Sequence, residues 1–199
     1  MKLGETATVR SGLVLSRKQA RERSEIRYPL LNLRSINSGG YIELNQLDVF
    51  EAENYLPAEY LSQVGDVIIR LSAPYPAVLI DETTAEMVVS SNFVIIRTDC
   101  RKLLPEYLFW LLNTAQVKRE IYVNTSSNML GAIKAKYFLE FEIPSLPTDK
   151  QKKIADMNAL MIKETKLLHR LAEEKECYYN LLISHANEEM KRGNEDDYS

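Results

Sequence analysis

Arg17, Lys18, Arg21 and Arg23 place four cations within seven residues, interrupted by the single acid Glu22. A run of this kind can neutralise phosphates, or it can be an ordinary solvated face. Arg34 and Arg70 each close a strand-like run, where side chains tend to project from the rim of a sheet. The acidic stretch between them offers a plain ion pair as the alternative. Ser126, Ser127 and Asn128, with Lys134 and Lys136 just beyond, form a second polar group that is either a connection or a set of hydrogen-bonding side chains on a loop. Ser72 and Tyr75 complete the candidates.

The sequence carries no catalytic pattern beside these residues. The chain has no glycine-rich phosphate loop, no Gly-x-Ser-x-Gly elbow, and no cysteine with a histidine in a globular context. Glu173-Glu174-Lys175 has the Glu-x-Lys spacing used by some nucleases, but it lies inside a helical pattern without an upstream acidic partner, so a solvated helix face explains it better. Ala73-Pro74-Tyr75-Pro76 is similar to the Pro-Pro-Tyr of amino-methyltransferases. It lacks the Asn or Asp that would accept from a target amine, and it reads as a turn. Cys100 and Cys177 lie far apart and both histidines, His169 and His185, fall in the helical region, so neither a metal site nor a disulfide framework can be drawn. The expectation is a non-enzyme with no cofactor and no metal.

The net charge of −3 conceals an uneven distribution. Met1–Ser35 carries eight basic residues against three acidic ones, a local balance of +5. Ile36–Ile69 carries six acidic residues and no Lys or Arg. Binding to a polyanion depends on the face presented and not on the total, so the acidic pI of 5.6 does not exclude it. No apolar run approaches the roughly 18 residues of a membrane span, and Met1-Lys2-Leu3-Gly4-Glu5 lacks the apolar core of a signal peptide. The chain reads as cytoplasmic, with no membrane partner.

The elements that must position these residues change type along the chain. Tyr28–Leu33, Asp66–Arg70, Ala77–Ile80, Met87–Val89 and Phe93–Arg97 are short apolar runs set off by turn residues, which predicts a β-rich core. Arg17–Ile26 is too polar for that core and is expected on the surface as a loop or short polar helix. Pro105 opens a helix whose apolar face is Tyr107, Leu108, Leu111 and Leu112, and Ala115–Ile121 predicts a second amphipathic piece. Residues 124–128 predict a polar loop, and Leu139–Ile143 alternates like a short strand. After Pro144 and Pro147, Thr148 is a good N-cap with Gln151 three positions on, and one helix is expected to run to Arg192, ended by Gly193. On a heptad template Ile154, Met157, Met161, Leu168, Leu171, Tyr178 and Leu182 form its apolar stripe, with Glu164 and Lys175 as the misses. Leu160, Leu167 and Leu181 widen the stripe beyond a two-strand seam. The fold class is therefore α+β, with a β-rich domain over 1–147, a long coiled-coil-type helix over 148–192 and a disordered acidic tail over 193–199.

Several segments resemble one known family in order and spacing. Leu3-Gly4-Glu5, Ser11-Gly12, Tyr28-Pro29-Leu30-Leu31-Asn32-Leu33, Gly65-Asp66-Val67-Ile68-Ile69-Arg70, Ser91-Asn92-Phe93 and Pro105-Glu106-Tyr107-Leu108 look like the DNA-specificity subunit of type I restriction-modification systems. So does Ile143-Pro144-Ser145-Leu146-Pro147 leading into Gln151-Lys152-Lys153-Ile154-Ala155, and the resemblance covers nearly the whole chain. It implies a target recognition domain that reads one half of a split DNA site, followed by a spacer helix. The usual subunit carries two such units in tandem and this chain carries one, which implies a half-subunit, a one-domain member or a piece of a longer protein.

The implied partners are double-stranded DNA, a methyltransferase subunit that binds S-adenosylmethionine and flips the adenine, and an ATP-driven restriction subunit. A half-subunit is expected to form a homodimer through antiparallel C-terminal helices and to read a palindromic bipartite site. On that reading Arg17, Lys18, Arg21, Arg23, Arg34, Arg70, Ser72, Tyr75, Ser126, Ser127, Asn128, Lys134 and Lys136 are the candidate DNA contacts, with affinity expected from Lys and Arg on phosphates and sequence choice from Arg, Asn, Ser or Gln at base edges. The competing reading is a protein-interaction adaptor whose helix docks partners while its globule binds no nucleic acid.

Overall fold

The computed structural model describes residues 1–37, 39–126 and 133–196; side chains of 125, 126 and 191–196 are outside the description. Among the described residues, seven strands and four α-helices follow one another: β1 Ala7–Ser11, β2 Arg27–Leu31, β3 Asp48–Glu51, β4 Val67–Arg70, β5 Ala77–Leu79, β6 Val88–Val89, β7 Phe93–Thr98, α1 Pro105–Asn113, α2 Ala115–Ser126, α3 Ala135–Glu140 and α4 Thr148–Asp196. Two sheets result. One is antiparallel in the order β1-β7-β4-β5, and the other runs β3-β2-β6 with β2 parallel to β6. The fold is α+β, a β-rich region followed by one long C-terminal helix.

The central strands β4 and β7 read Val-Ile-Ile and Phe-Val-Ile-Ile without polar interruption because both faces are covered. Ile68, Phe93 and Ile95 point to a core shared with Leu31, Ile36, Val78, Ile80, Met87 and Val89, so this side of the larger sheet packs on the smaller one. Successive residues of a strand face opposite ways, so Val67, Ile69, Val94 and Ile96, all fully buried, lie on the other face, where α1 meets β4 and β5. Asn113 finishes that side: its carboxamide accepts from Ala77 N at 3.2 Å and donates to Ala77 O at 2.9 Å, standing in for a neighbouring strand at the open edge of β5. A second cluster of Leu13, Phe50, Ala52, Leu56 and Val88 lies under the segment that connects β1 to β2.

Gly12 allows that segment to cross the sheet. A Cβ there would lie 2.2 Å from Ser90 O and 2.5 Å from Val89 O, so only glycine lets Leu13 N reach Val89 O at 2.7 Å. Gly65 turns the chain into β4 at φ +85°, a conformation that favours glycine.

Two segments differ from the expectation drawn from their sequence. The polar residues 124–126 are expected in a loop, but α2 continues through Ser126. Asn124 tolerates the helix because its side chain donates back to Glu120 O at 2.9 Å instead of competing with the backbone. Leu139–Ile143 is expected as a strand. Leu139 and Glu140 instead end α3, and only Phe141–Ile143 is extended, with Leu3 N donating to Phe141 O and Ile143 N to Met1 O, each at 2.9 Å.

The chain divides into two compact units, Met1–Asp156 and Met157–Ser199. The boundary falls nine residues beyond the one read from the prolines, because the first turns of α4 belong to the first unit. Gln151 is the reason. It is fully buried, accepts from Leu104 N at 2.9 Å, and donates to Lys102 O at 2.9 Å and Leu146 O at 2.8 Å. Leu104 is the N-cap residue of α1, so one amide ties the start of α4 to the start of α1. The C-terminal end of α4 also differs from expectation: the helix passes Gly193 and continues through Asp196.

Candidate nucleic-acid interface

The segment between β1 and β2 carries the basic cluster on a fixed backbone. Lys18 N and Gln19 N both donate to Leu15 O at 3.0 Å, closing a tight turn over Leu15–Arg17. The chain then lies along the end of β3: Ala20 N donates to Glu51 O and Glu53 N to Lys18 O, both at 3.0 Å, while Ser24 Oγ donates to Ala52 O at 2.7 Å. Arg17, Lys18, Arg21 and Arg23 are all exposed on this anchored segment. A shallow cleft of about 550 Å³ opens beside it, lined by Arg23, Ser24, Glu25 and Arg27.

Pairing separates these four cations from Lys2, Arg10, Arg27, Arg97 and Arg101. Arg10 bonds Glu59 at 2.5 Å, Arg27 bonds Glu51 at 2.9 Å, Lys2 bonds Glu140 at 2.6 Å and Arg101 bonds Asp99 at 2.9 Å. Arg97 reaches the buried Asp66 carboxylate with two nitrogens, at 2.7 and 3.1 Å. Burial pushes the Asp66 carboxyl above its usual range, opposed by the hydrogen bonds from Arg97 and Gln63 N. Among the described residues, Arg17, Lys18, Arg21 and Arg23 have no ion-pair partner. Exposed cations without a carboxylate partner suit phosphate neutralisation.

The remaining candidates fall elsewhere. Arg34 pairs with Asp48, which also accepts from Asn32 Nδ2 at 2.8 Å, so the ion-pair alternative is the one realised at this residue. Arg70 has no carboxylate partner among the described residues; its Nε donates to Ser72 Oγ at 2.7 Å and its guanidinium approaches Leu33 O at 3.5 Å. Arg34, Arg70 and Ser72 thus gather near residue 33, while the Arg17–Arg23 cluster lies at the opposite end of the β2–β3 ladder, about 13 Å away along β2.

Tyr75, expected at the surface, is instead only 5% exposed, so its side chain is packed inside and is not presented for a base contact. Ser126 closes α2, and Ser127 and Asn128 lie outside the described residues. Lys134 is the exposed N-cap residue of α3 and Lys136 is exposed on that helix. The described candidates therefore do not converge on one point.

Two residues escaped the sequence reading. Tyr55 is 83% exposed on the loop after β3, two positions from the Glu53 that bonds Lys18 O. Its signal was an aromatic in the turn-rich Asn54-Tyr55-Leu56-Pro57, without the periodicity of a strand. Lys118 on α2 is half-buried without an ion pair among the described residues, and burial pulls its ammonium below the usual lysine range. Among the described residues no three His, Cys, Asp or Glu side chains gather to hold a metal, and no helix is long and apolar enough to cross a membrane.

In the second unit, α4 presents its apolar stripe openly. Met157 is 71% exposed, Met161 57%, Leu168 60%, Leu171 49%, Tyr178 58% and Leu182 47%. Ile154 lies half-buried in the first unit.

Solved structures repeat this succession of β-rich globule, short helices and long helix. A chain from a structure on complex assembly and conformational transition of the type I R-M system superposes with TM-score 0.62 over 94% of this chain, at 20% identity. The HsdS subunit from Thermoanaerobacter tengcongensis gives 0.63 over 87% at 17% identity, and the type I restriction-modification S subunit from M. genitalium gives 0.51 over 83% at 14%. The chain has the fold of a type I specificity subunit. It spans less than half the length of each of these chains, 47%, 44% and 40%. No family model and no curated protein sequence matches it. In the specificity-subunit fold described here, the basic segment after β1 belongs to the globule and the apolar stripe to the long helix.

Proposed function

We propose that this chain is the DNA sequence-recognition element of a type I restriction-modification complex, with the globule reading one half of a bipartite site and α4 acting as spacer and docking helix. The correspondence with specificity-subunit structures over most of the chain supports this reading most strongly. The four unpaired cations at Arg17, Lys18, Arg21 and Arg23 agree with it, because backbone contact by Lys and Arg supplies a large share of the affinity of DNA-binding proteins. The chain itself performs no chemistry. A methyltransferase subunit binds the methyl donor and modifies the base, and a restriction subunit, where one is present, joins the same complex. The exposed stripe of α4 serves pairing with a second copy and contact with those partners.

Fluorescence anisotropy with labelled duplexes, in the presence of the methyltransferase subunit, tests the reading. Affinity should fall steeply as salt rises and should drop when Arg17, Arg21 and Arg23 are reversed to Glu. A flat salt response with unchanged binding by the reversed variant would favour the adaptor reading, in which only α4 makes functional contacts.

A further inference from the structure

The apolar stripe of α4 contains two polar residues, Glu164 and Lys175, at heptad positions otherwise filled by Met157, Met161, Leu168, Leu171, Tyr178 and Leu182. Both are exposed, and among the described residues neither has an ion pair in its own chain. Among the described residues, the pairs Arg170–Glu174 and His185–Glu189 on this helix use other positions. A charge placed within an apolar seam loses stability when that seam is covered unless an opposite charge meets it. Here the two misfits carry opposite signs.

We infer that α4 is built to meet a second copy of itself in one antiparallel register, locked by Glu164 of each copy against Lys175 of the other. This rests on the proposed pairing of half-subunits and sharpens it to a register. In a two-fold antiparallel pair centred between His169 and Arg170, Met157 opposes Leu182, Met161 opposes Tyr178, Glu164 opposes Lys175 and Leu168 opposes Leu171. Within this set every apolar position meets an apolar one, each charge meets its opposite, and each a position faces a d position, as antiparallel helices require.

Neighbouring registers fail this test. A slip of one heptad sets Glu164 against Leu168 or Leu182 and Lys175 against Met157 or Leu171, leaving four unpaired charges in the seam. A parallel pair sets Glu164 against Glu164 and Lys175 against Lys175. Only the proposed register satisfies both misfits, which gives them the same role as a single polar residue that specifies coiled-coil alignment. The register also fixes a distance. The two copies of Met157 stand about 38 Å apart along the helix axis, and a one-heptad slip would change this by about 10 Å, enough to alter the spacing between two recognition domains.

The test is sedimentation equilibrium of the full chain across micromolar concentrations, with circular dichroism to confirm helix content. Wild type should be a dimer. E164K creates two Lys–Lys contacts and K175E two Glu–Glu contacts, so each variant alone should self-associate at least about tenfold more weakly. An equimolar mixture of E164K and K175E restores opposite charges at both contacts and should return to dimer, as should the charge-swapped double variant. If the single variants dimerise like wild type, or the mixture associates no better than its components, the register is wrong while the pairing and the DNA reading stand. A wild-type monomer would overturn the second copy as occupant, and the register with it, and would assign the face to a helix of another protein.

Discussion

Replacing Gln151 by Leu keeps the volume of a fully buried side chain and deletes its three hydrogen bonds to Leu104 N, Lys102 O and Leu146 O. The Leu104 amide loses its acceptor at a part-buried site, at about 1–2 kcal/mol, and the two carbonyls regain some water and lose about 0.5–1 kcal/mol each. The sum is about 3 kcal/mol. For a chain of this size that lowers Tm by roughly 6–12 °C. The variant Q151E separates hydrogen bonding from packing. Its carboxylate can still accept from Leu104 N, but it turns negative oxygens toward the Lys102 and Leu146 carbonyls, so the protonated form is favoured in the folded state. Its folded pKa is therefore raised, and its deficit against wild type should shrink as pH falls through the carboxylate range. Urea unfolding at neutral and acidic pH, with exposed Lys152→Leu as the control, measures both effects. A Q151L variant within about 0.5 kcal/mol of wild type would refute the clamp, since that is the scatter of ordinary surface substitutions.

Further outcomes can be checked on the same material. Gly12→Ala must displace the Ser90 carbonyl from 2.2 Å and should cost about 1–3 kcal/mol in chemical denaturation. Arg97→Leu strands the Asp66 carboxylate, whose side chain is 2% exposed, and should destabilise by about 3 kcal/mol at neutral pH. Burial then raises the Asp66 pKa without opposition from Arg97, so this loss should diminish as pH falls and Asp66 protonates, which stability measured against pH would show. Replacing Arg17, Lys18, Arg21 and Arg23 together by Ala should leave thermal stability within about 0.5 kcal/mol, because none makes an ion pair among the described residues. The same change should lower the salt-dependence slope of DNA binding by up to about 3.6, since each phosphate left unneutralised removes about 0.9.

The central strands were legible because a strand buried on both faces leaves an unbroken apolar run, as in Val67–Ile69 and Phe93–Ile96. β1 and β3 were not, since Ala-Thr-Val-Arg-Ser and Asp-Val-Phe-Glu are edge strands, with three of five residues exposed in β1 and Val49 exposed in β3, and no surplus of apolar residues. The start of α4 could be read from Thr148 and Gln151, but not that Gln151 turns inward to bond three separate backbone groups, a long-range event with no local signature. Of the candidate interface, the Arg17–Arg23 cluster could be found from charge density alone. Pairing could not: Arg34 and Arg70 look alike in sequence, and only the placement of Asp48 beside one of them distinguishes a satisfied cation from an available one. Tyr75 failed as a surface candidate because a turn motif does not reveal which way its aromatic points.

Whether this chain selects a DNA sequence for a modification enzyme can be decided by mapping methylated bases across the host genome with and without the gene. A split motif should be methylated in the wild type and lose methylation on deletion, with palindromic halves if two copies of this chain form the reader. An identical methylation map in both strains would contradict sequence recognition by this chain.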